Sequence, residues 1–593
     1  MRSAPQAAER RSRWWRPAVL LLLAAVLPAC ASIPTSGPVR ADRGLRVDRE
    51  DVAVPFIAEG PVRGATVTQV VQGFLRASAD FRRDHEVARR YLTPRARQEW
   101  RPAAGTTVHD SGGGPVTVEE TGDGVVVAGA SEIAHIDAEG SFRRTAGSPE
   151  VTRTFRMERV DGQWRIDALE DGLLLSMLDV EQTFRQVSLY FLSPLRNSLV
   201  PDTVLVPELP GLSTKVVSRL LRGPTAGLRG SVETAFPQGT ELEVQSVPVD
   251  AGLAIVALDA QARRADQLQR EQMSAQIVWT LKQLGPEIDR IRITAAGEDL
   301  AVSGVAADQG RDSWLTYDPD GLAAGPSLYA VRDGQFGRFI EGSFQPVDGP
   351  AGTGAVPLAT PAVSLDTNRV AAVSTDGTTL RVGRLAEDGS LDVVVSGGDL
   401  SQPSWDPDGN LWVVDRSTGR LLLLPGGAGP AQTVELPRLP GGTPTQVSVS
   451  RDGARIALIT GAGRSARLVL GAVTGVEELD ADVPAVARIA VVDPREVLPD
   501  LRGVQDVAWA DATTLAVLGS RDELPPAPFL TSIDGFDIVD VVPEPELATV
   551  AAAPPDAQAS PLVVGTTDGE LLQYTSGRGW VSLGEGIDPT YPG

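Results

Sequence analysis

One cysteine in 593 residues, Cys30, leaves no partner for an intrachain disulfide and no thiol cluster for a structural metal. Histidine is almost as scarce. His85, His109 and His135 are the only three, so a zinc or copper site, or a serine–histidine pair, has no imidazole to draw on beyond residue 135. Lysine occurs only at 215 and 282, and neither follows a glycine-rich loop of P-loop spacing. Positive charge is short overall: 54 basic residues face 77 acidic ones, a net of −23, which opposes nucleic-acid binding. No Gly-x-Ser-x-Gly elbow occurs, and no acidic pair stands out as catalytic. The expectation is no catalytic residue, no metal, no cofactor and no small-molecule substrate: not an enzyme.

What is present begins at the N-terminus. Arg2, Arg10, Arg11, Arg13 and Arg16 precede an apolar run from Ala18 to Val26, too short to span a bilayer. Leu27-Pro28-Ala29-Cys30 closes it in the layout of a secretory leader, and these four residues resemble the lipobox of bacterial lipoproteins. The expectation is cleavage before Cys30 and a diacylglyceryl group on its sulfur, with a further acyl chain on its nitrogen. Two or three chains make anchoring effectively permanent. Losing residues 1–29 moves the net charge from −23 to −27, so lipid rather than charge must hold the body at the outer face of the cell membrane.

Residues 30–50 lack an apolar period and read as a flexible tether. The first domain is placed at 51–182. Val67, Val70, Val71, Phe74 and Leu75 recur at helical spacing, and a short helix begins at Asp84. Strands follow at Val116–Glu119, Gly124–Ala128 and Thr152–Glu158, and Asp161-Gly162 turns into Gln163-Trp164-Arg165-Ile166. Helices before an antiparallel sheet make an α+β order, which resembles the cone-shaped folds related to nuclear transport factor 2 (NTF2-like). His85 reads as surface on a charged helix, and His109 as part of a Gly/Ser/Thr-rich loop. His135 shares a strand face with Ile133, and the pattern leaves open which face is buried.

The second domain, 183–305, reads as strand Val187–Leu192, strand Thr203–Val206 and helix Ser213–Leu221, stopped by Arg222-Gly223-Pro224. A strand pair Leu242–Val247 and Leu253–Leu258, an amphipathic helix Gln267–Leu284 and a strand Ile288–Ala295 follow. This order, with Leu-Leu-Arg-Gly-Pro-Thr and Phe-Pro-x-Gly-Thr in those places, resembles a GerMN domain, the module of spore-germination lipoproteins. The third domain, 306–593, is all β and repeats. Leu365, Trp405, Val449 and Trp509 head similar strand–turn–strand segments at steps of 40, 44 and 60 residues. That is the period of a β-propeller blade, and about six blades fit, with further members near Tyr329 and Ala552–Tyr574. Three features imitate chemistry and read better as turns or core: Gly461-Ala-Gly-Arg-Ser-Ala466, the calcium-loop-like Asp406-Pro-Asp408-Gly-Asn410, and the pair Trp405 and Trp509 as a glycan-binding mouth.

The whole order, together with Cys30-Ala-Ser-Ile-Pro-Thr-Ser-Gly-Pro-Val39, resembles the LpqB family of actinobacterial lipoproteins. That resemblance implies a non-enzymatic accessory of the MtrA–MtrB two-component system, with the extracytoplasmic part of the sensor kinase as partner and envelope and cell-cycle control as its setting. A wall- or glycan-binding lipoprotein is the alternative, and a hydrolase ranks behind both.

Overall fold

The computed structural model describes residues 58–593 apart from 111, 113–115, 123, 195–196, 323–324, 341, 478–486, 522–523, 542–545, 554–561 and 576–577. The leader, Cys30 and the tether therefore lie outside the described residues. No described helix is long and apolar enough to cross a membrane.

The first helix runs Val67–Ala77. Thr66 and Gln69 close its N-terminus reciprocally, each side chain taking the other's backbone N–H. Val67, Val70, Val71 and Phe74 are buried, with Phe74 edge-on to Trp100 at 5.2 Å and to Phe155 at 5.9 Å. Two short helices follow, Glu86–Arg89 and Pro94–Glu99. The second has Thr93 as its cap and proline in its first turn, a start signal that marks a helix the periodicity alone misses. A seven-stranded sheet backs them, ordered Gln163–Ala168, Glu150–Val160, Val125–Asp137, Gly105–His109 and Leu173–Ser176. Thr117–Gly122 and Phe142–Arg144 add to the long Val125–Asp137 strand. The sheet is antiparallel except where Gly105–His109 runs parallel to Leu173–Ser176.

In the second domain Phe184–Leu192 and Leu199–Pro207 form an antiparallel pair, and Leu253–Leu258 runs parallel to Arg290–Ala295. The expected strand Leu242–Val247 does not form. Leu242 makes one bridge to Leu258, and only Val249–Asp250 pairs with Leu253–Ala254. The Thr214 hydroxyl takes the Val247 N–H at 2.9 Å, and Pro248 has none to offer a ladder. Helix Gln267–Lys282 is also not amphipathic: every residue from Gln272 to Leu281 is buried. Helix Leu212–Leu221, strand Phe184–Leu192 and the 3-10 turn Arg311–Tyr317 surround it. Two of its buried polar side chains are satisfied by backbone: Gln276 donates to the Tyr190 carbonyl and accepts the Ala235 N–H, while Thr280 takes the Tyr190 N–H.

The C-terminal part is β-propeller-like: its described residues form six consecutive four-stranded antiparallel sheets. The first joins Leu328–Arg332, Gln335–Ile340 and Ser343–Pro346 to Ile587–Thr590, so the chain's last strand completes its first sheet. The leading strands of the others are Leu358–Val363, Ser404–Trp405, Pro444–Val449, Leu501–Asp511 and Leu547–Ala551. Each touches the next in this series, and Leu547–Ala551 touches Ile587–Thr590. Side chains cap the turns between strands. Ser364 and Ser450 each donate to an aspartate two residues on and accept the N–H five residues on. Trp405 and Trp509 are buried, and each indole N–H donates at 3.2 Å to a carbonyl of the preceding sheet, Ala362 and Ser448. They staple neighbouring sheets, which is the core role expected of them.

Candidate functional site at the junction of three domains

The hairpin between Val125–Asp137 and Phe142–Arg144 is where all three domains meet. Asp137 builds its turn by accepting the N–H groups of Glu139 and Ser141 at 2.8 and 2.9 Å. Gly140 follows with φ +90°, and a Cβ there would stand 2.7 Å from the Leu205 carbonyl. Only glycine permits this approach, and through it the Gly140 carbonyl accepts the Leu205 N–H at 2.8 Å.

Glu139 binds the second domain: its carboxylate accepts from Ala226 N–H at 2.9 Å and Arg229 at 2.7 Å, and its carbonyl from Arg219. The next residues bind the propeller-like region. Phe142 meets Phe536 edge-on at 5.2 Å. Arg143 makes a two-pronged pair with Asp493, and Arg144 donates to the Gly535 carbonyl at 2.6 Å. The second and third domains are joined directly as well. Arg455 donates to the Pro201 carbonyl, Gln186 to both oxygens of Asp534 at 3.0 Å, and Thr474 to the Gly230 carbonyl at 2.9 Å.

A crevice at this junction is lined by Asp202, Thr225, Arg455, Arg495 and Asp534 among others. Burial pushes the Asp202 carboxyl up, against the pull of the Thr225 N–H and the Arg455 cation. Burial likewise lowers the affinity of Arg455 for its proton. Both Asp202 oxygens are occupied, by the Thr225 N–H at 2.6 Å and its hydroxyl at 2.9 Å. The free interior is about 30 Å³, room for a water or two rather than a sugar ring. What this arrangement does chemically is hold domains together.

The histidines are placed apart from it. His85 is buried rather than on the surface: Nδ1 lies 3.0 Å from the Ser78 carbonyl, and the ring is flanked by Phe81 and Trp100. His109 ends strand Gly105–His109 instead of sitting in a loop. His135 takes the exposed face of its strand, while Ala134 and Ile136 are buried. Asp406 spends its oxygens on the Asp408 and Asn410 N–H groups, the Asn410 amide and the Trp412 indole, so it shapes a turn. Gly461–Ala466 is a hairpin loop between Arg455–Thr460 and Arg467–Glu477. Among the described residues no group of three or more His, Cys, Asp or Glu could hold a metal.

Two buried carboxylates escape sequence reasoning. Burial raises Asp506 to about 6, against hydrogen bonds from Val550, Gln446 and Val507. It raises Asp320 to about 7, with Asp511 adding to the effect. The junction residues carry only the local signature of a polar hairpin tip, in the turn-forming Asp137-Ala-Glu-Gly140 and the Arg143-Arg144 pair after an aromatic.

Fold and site together define a multidomain, propeller-bearing protein whose conspicuous polar cluster joins domains. Family models match in the same order: "Lipoprotein LpqB, N-terminal domain" over residues 60–181, "Sporulation and spore germination" over 188–301, and "Lipoprotein LpqB beta-propeller domain" over 334–592. The chain is 32% identical to Lipoprotein LpqB of Thermobifida fusca, covering 96% of this chain and 97% of that one. It is 31% identical to Lipoprotein LpqB of Streptomyces coelicolor, covering 96% of each. Among solved structures it is similar to the tandem GerMN domains of the sporulation protein GerM from Bacillus subtilis, at 15% identity and TM-score 0.20, over 26% of this chain and 59% of that one. The chain belongs to the LpqB lipoprotein family, with a GerMN domain and a C-terminal β-propeller-like region.

Proposed function

We propose that the chain is cut before Cys30, acylated there, and held at the extracytoplasmic face of the cell membrane as a non-enzymatic accessory of a sensor histidine kinase of the MtrA–MtrB type. The domains of this reading are 51–182, 183–305 and 306–593, the first an NTF2-like cone and the last a six-bladed propeller. Six four-stranded sheets, with the last strand completing the first sheet, support that blade count. The observation that carries the function is the Asp137–Arg144 hairpin, which ties three domains into one body. A body of that kind suits presenting one composite surface to another protein. A glycan-binding mouth at Trp405 and Trp509 is disfavoured by their burial.

The test is crosslinking in intact cells with the native chain and with Cys30→Ala. The kinase is expected among the partners captured by the native chain and absent with the variant. Capture of no kinase by the native chain, or tight retention of the ectodomain on purified wall without it, overturns the regulatory reading.

A further inference from the structure

Charge is unevenly distributed in this acidic protein. Between Ala58 and Arg101 nine arginines face five carboxylates, in a chain of net charge −23. Five of those arginines form a continuous strip over the two short helices. Arg89 is its centre: its guanidinium reaches the Asp84 carboxylate at 2.7 Å and the Arg97 carbonyl at 2.6 Å, and lies 5.2 Å from the centre of the Trp100 ring. Arg97 returns a hydrogen bond to the Arg89 carbonyl at 2.9 Å. Arg83 and Arg90 share Glu86, at 3.2 and 2.5 Å. Arg101 follows Trp100, whose carbonyl Arg89 also reaches. Arg83, Arg90, Arg97 and Arg101 are exposed. Asp84 and Glu86 pair with Arg89, Arg83 and Arg90, the Asp171 carboxylate accepts the Arg101 backbone N–H at 2.8 Å and Glu99 pairs with Arg95. Among the described residues no carboxylate lies within ion-pair distance of the Arg97 or Arg101 guanidinium.

The backbone supports this display at a cost. Arg83, Asp84 and His85 are left-handed in succession, φ 48°, 56° and 57°, without a glycine among them. Such a turn persists only where its surroundings over-determine it, and the buried His85 ring does so between Phe81 and Trp100. The result sends Arg83 outward with 84% of its side chain exposed.

We infer that this strip docks on an anionic phospholipid surface, with guanidinium groups on lipid phosphates, and so orients the body on the membrane. The inference rests on the lipid-anchored reading above. The 27 residues between Cys30 and Ala58 span up to ~95 Å when extended, slack enough for the first domain to lie down. Exposed ion pairs are weak, so Arg83 and Arg90 exchange their shared carboxylate for phosphate readily, and the planar fork of arginine matches a phosphate. Each arginine near an anionic leaflet is worth roughly a fivefold gain in partitioning. The strip binds by itself, and a lipid anchor that holds the body nearby strengthens the contact further.

The test uses residues 30–593 carrying C30S, which removes the anchor and leaves the strip. Flotation is measured with phosphatidylcholine vesicles, with and without about one-third phosphatidylglycerol, at low and high salt. Expected is binding to the anionic vesicles alone, weakened by salt, and reduced roughly a hundredfold or more when Arg83, Arg90, Arg97 and Arg101 are all changed to Gln. The same four changed to Lys should keep binding, as should a control with Arg384, Arg420, Arg438 and Arg578 changed to Gln. Equal partitioning into neutral vesicles, survival of binding in the four-Gln strip variant, its loss in the control set, or capture by a soluble glycerol-phosphate polymer with none on vesicles would each overturn the inference. Because no kinase and no acyl chain enters this assay, its failure stands apart from failure of the crosslinking test.

Discussion

Arg143 in the first domain and Asp493 in the propeller-like region meet through two guanidinium nitrogens, at 2.7 and 3.2 Å, across 350 residues of chain. The pair is partly exposed, at 40% and 33% of the two side chains, so solvent screens it. A double-mutant cycle of Arg143→Ala and Asp493→Ala should give a coupling of ~0.5–1 kcal/mol. Coupling indistinguishable from zero in chemical denaturation would mean that Phe142 and Gly140 hold the junction without it.

Asp202 should matter more. Asp202→Ala strands the Thr225 N–H and hydroxyl, and takes a counter-charge from buried Arg455. The expected loss is ~3 kcal/mol or more in urea unfolding. Asp202→Asn keeps one oxygen for the Thr225 N–H and should cost clearly less. Equal costs would show that packing, not polarity, sets the stability of the crevice.

Trp405 separates area from hydrogen bonding. Its ring is 1% exposed, lies under Arg369 at 4.4 Å and donates to Ala362. Trp405→Phe should cost ~1 kcal/mol beyond the lost area, for the stranded carbonyl. Trp405→Ala should cost ~3–5 kcal/mol, for the cavity. Thermal unfolding of the two variants measures the difference.

His85 supplies a pH dependence. Burial lowers its affinity for a proton, outweighing the Ser78 carbonyl, Asp84 and Asp80, while Arg89 acts in the same sense as burial. Between its ordinary value of 6.5 and its lower folded value, the unfolded chain binds the extra proton. Stability from this residue is therefore full above 6.5, falls on acidification below it, and levels off once the folded ring also protonates. Urea midpoints of the native chain and His85→Gln, taken at about pH 7 and about pH 5, should converge on acidification, because the variant lacks this term. Parallel midpoints would refute it.

Much of the architecture was legible. Val67, Val70, Val71, Phe74 and Leu75 occur at helical spacing, and the first helix buries all of them but Leu75, which is half-buried. The strand–turn–strand repeat that placed Trp405 and Trp509 together corresponds to their shared role between sheets. Structure departs from local pattern where a partner outside the local window decides the outcome. Leu242–Val247 looked like a strand, and a hydroxyl on another helix, Thr214, claimed its last N–H. Gln267–Leu284 reads as amphipathic, whereas in the fold its face with Gln276 and Thr280 is buried as well, and these two bond the Tyr190 backbone. His85 looked solvated because its neighbours are charged, yet a left-handed turn folds the ring inward and leaves those charges outside.

Composition alone bounds the thiol, imidazole and amine chemistry open to the chain, with one cysteine, three histidines and two lysines. Period and turn residues determined the repeated sheets, since hydrophobic alternation and Ser–Asp turns are local properties. The junction was decided by tertiary structure. Glu139, Arg143 and Arg144 are ordinary hairpin residues by sequence, and become the vertex of three domains only because Gly140 lets the chain approach Leu205 so closely. The arginine strip divides the same way. Its charge is written in the chain, whereas its continuity depends on Arg89 and Arg97 exchanging hydrogen bonds across the turn between two helices.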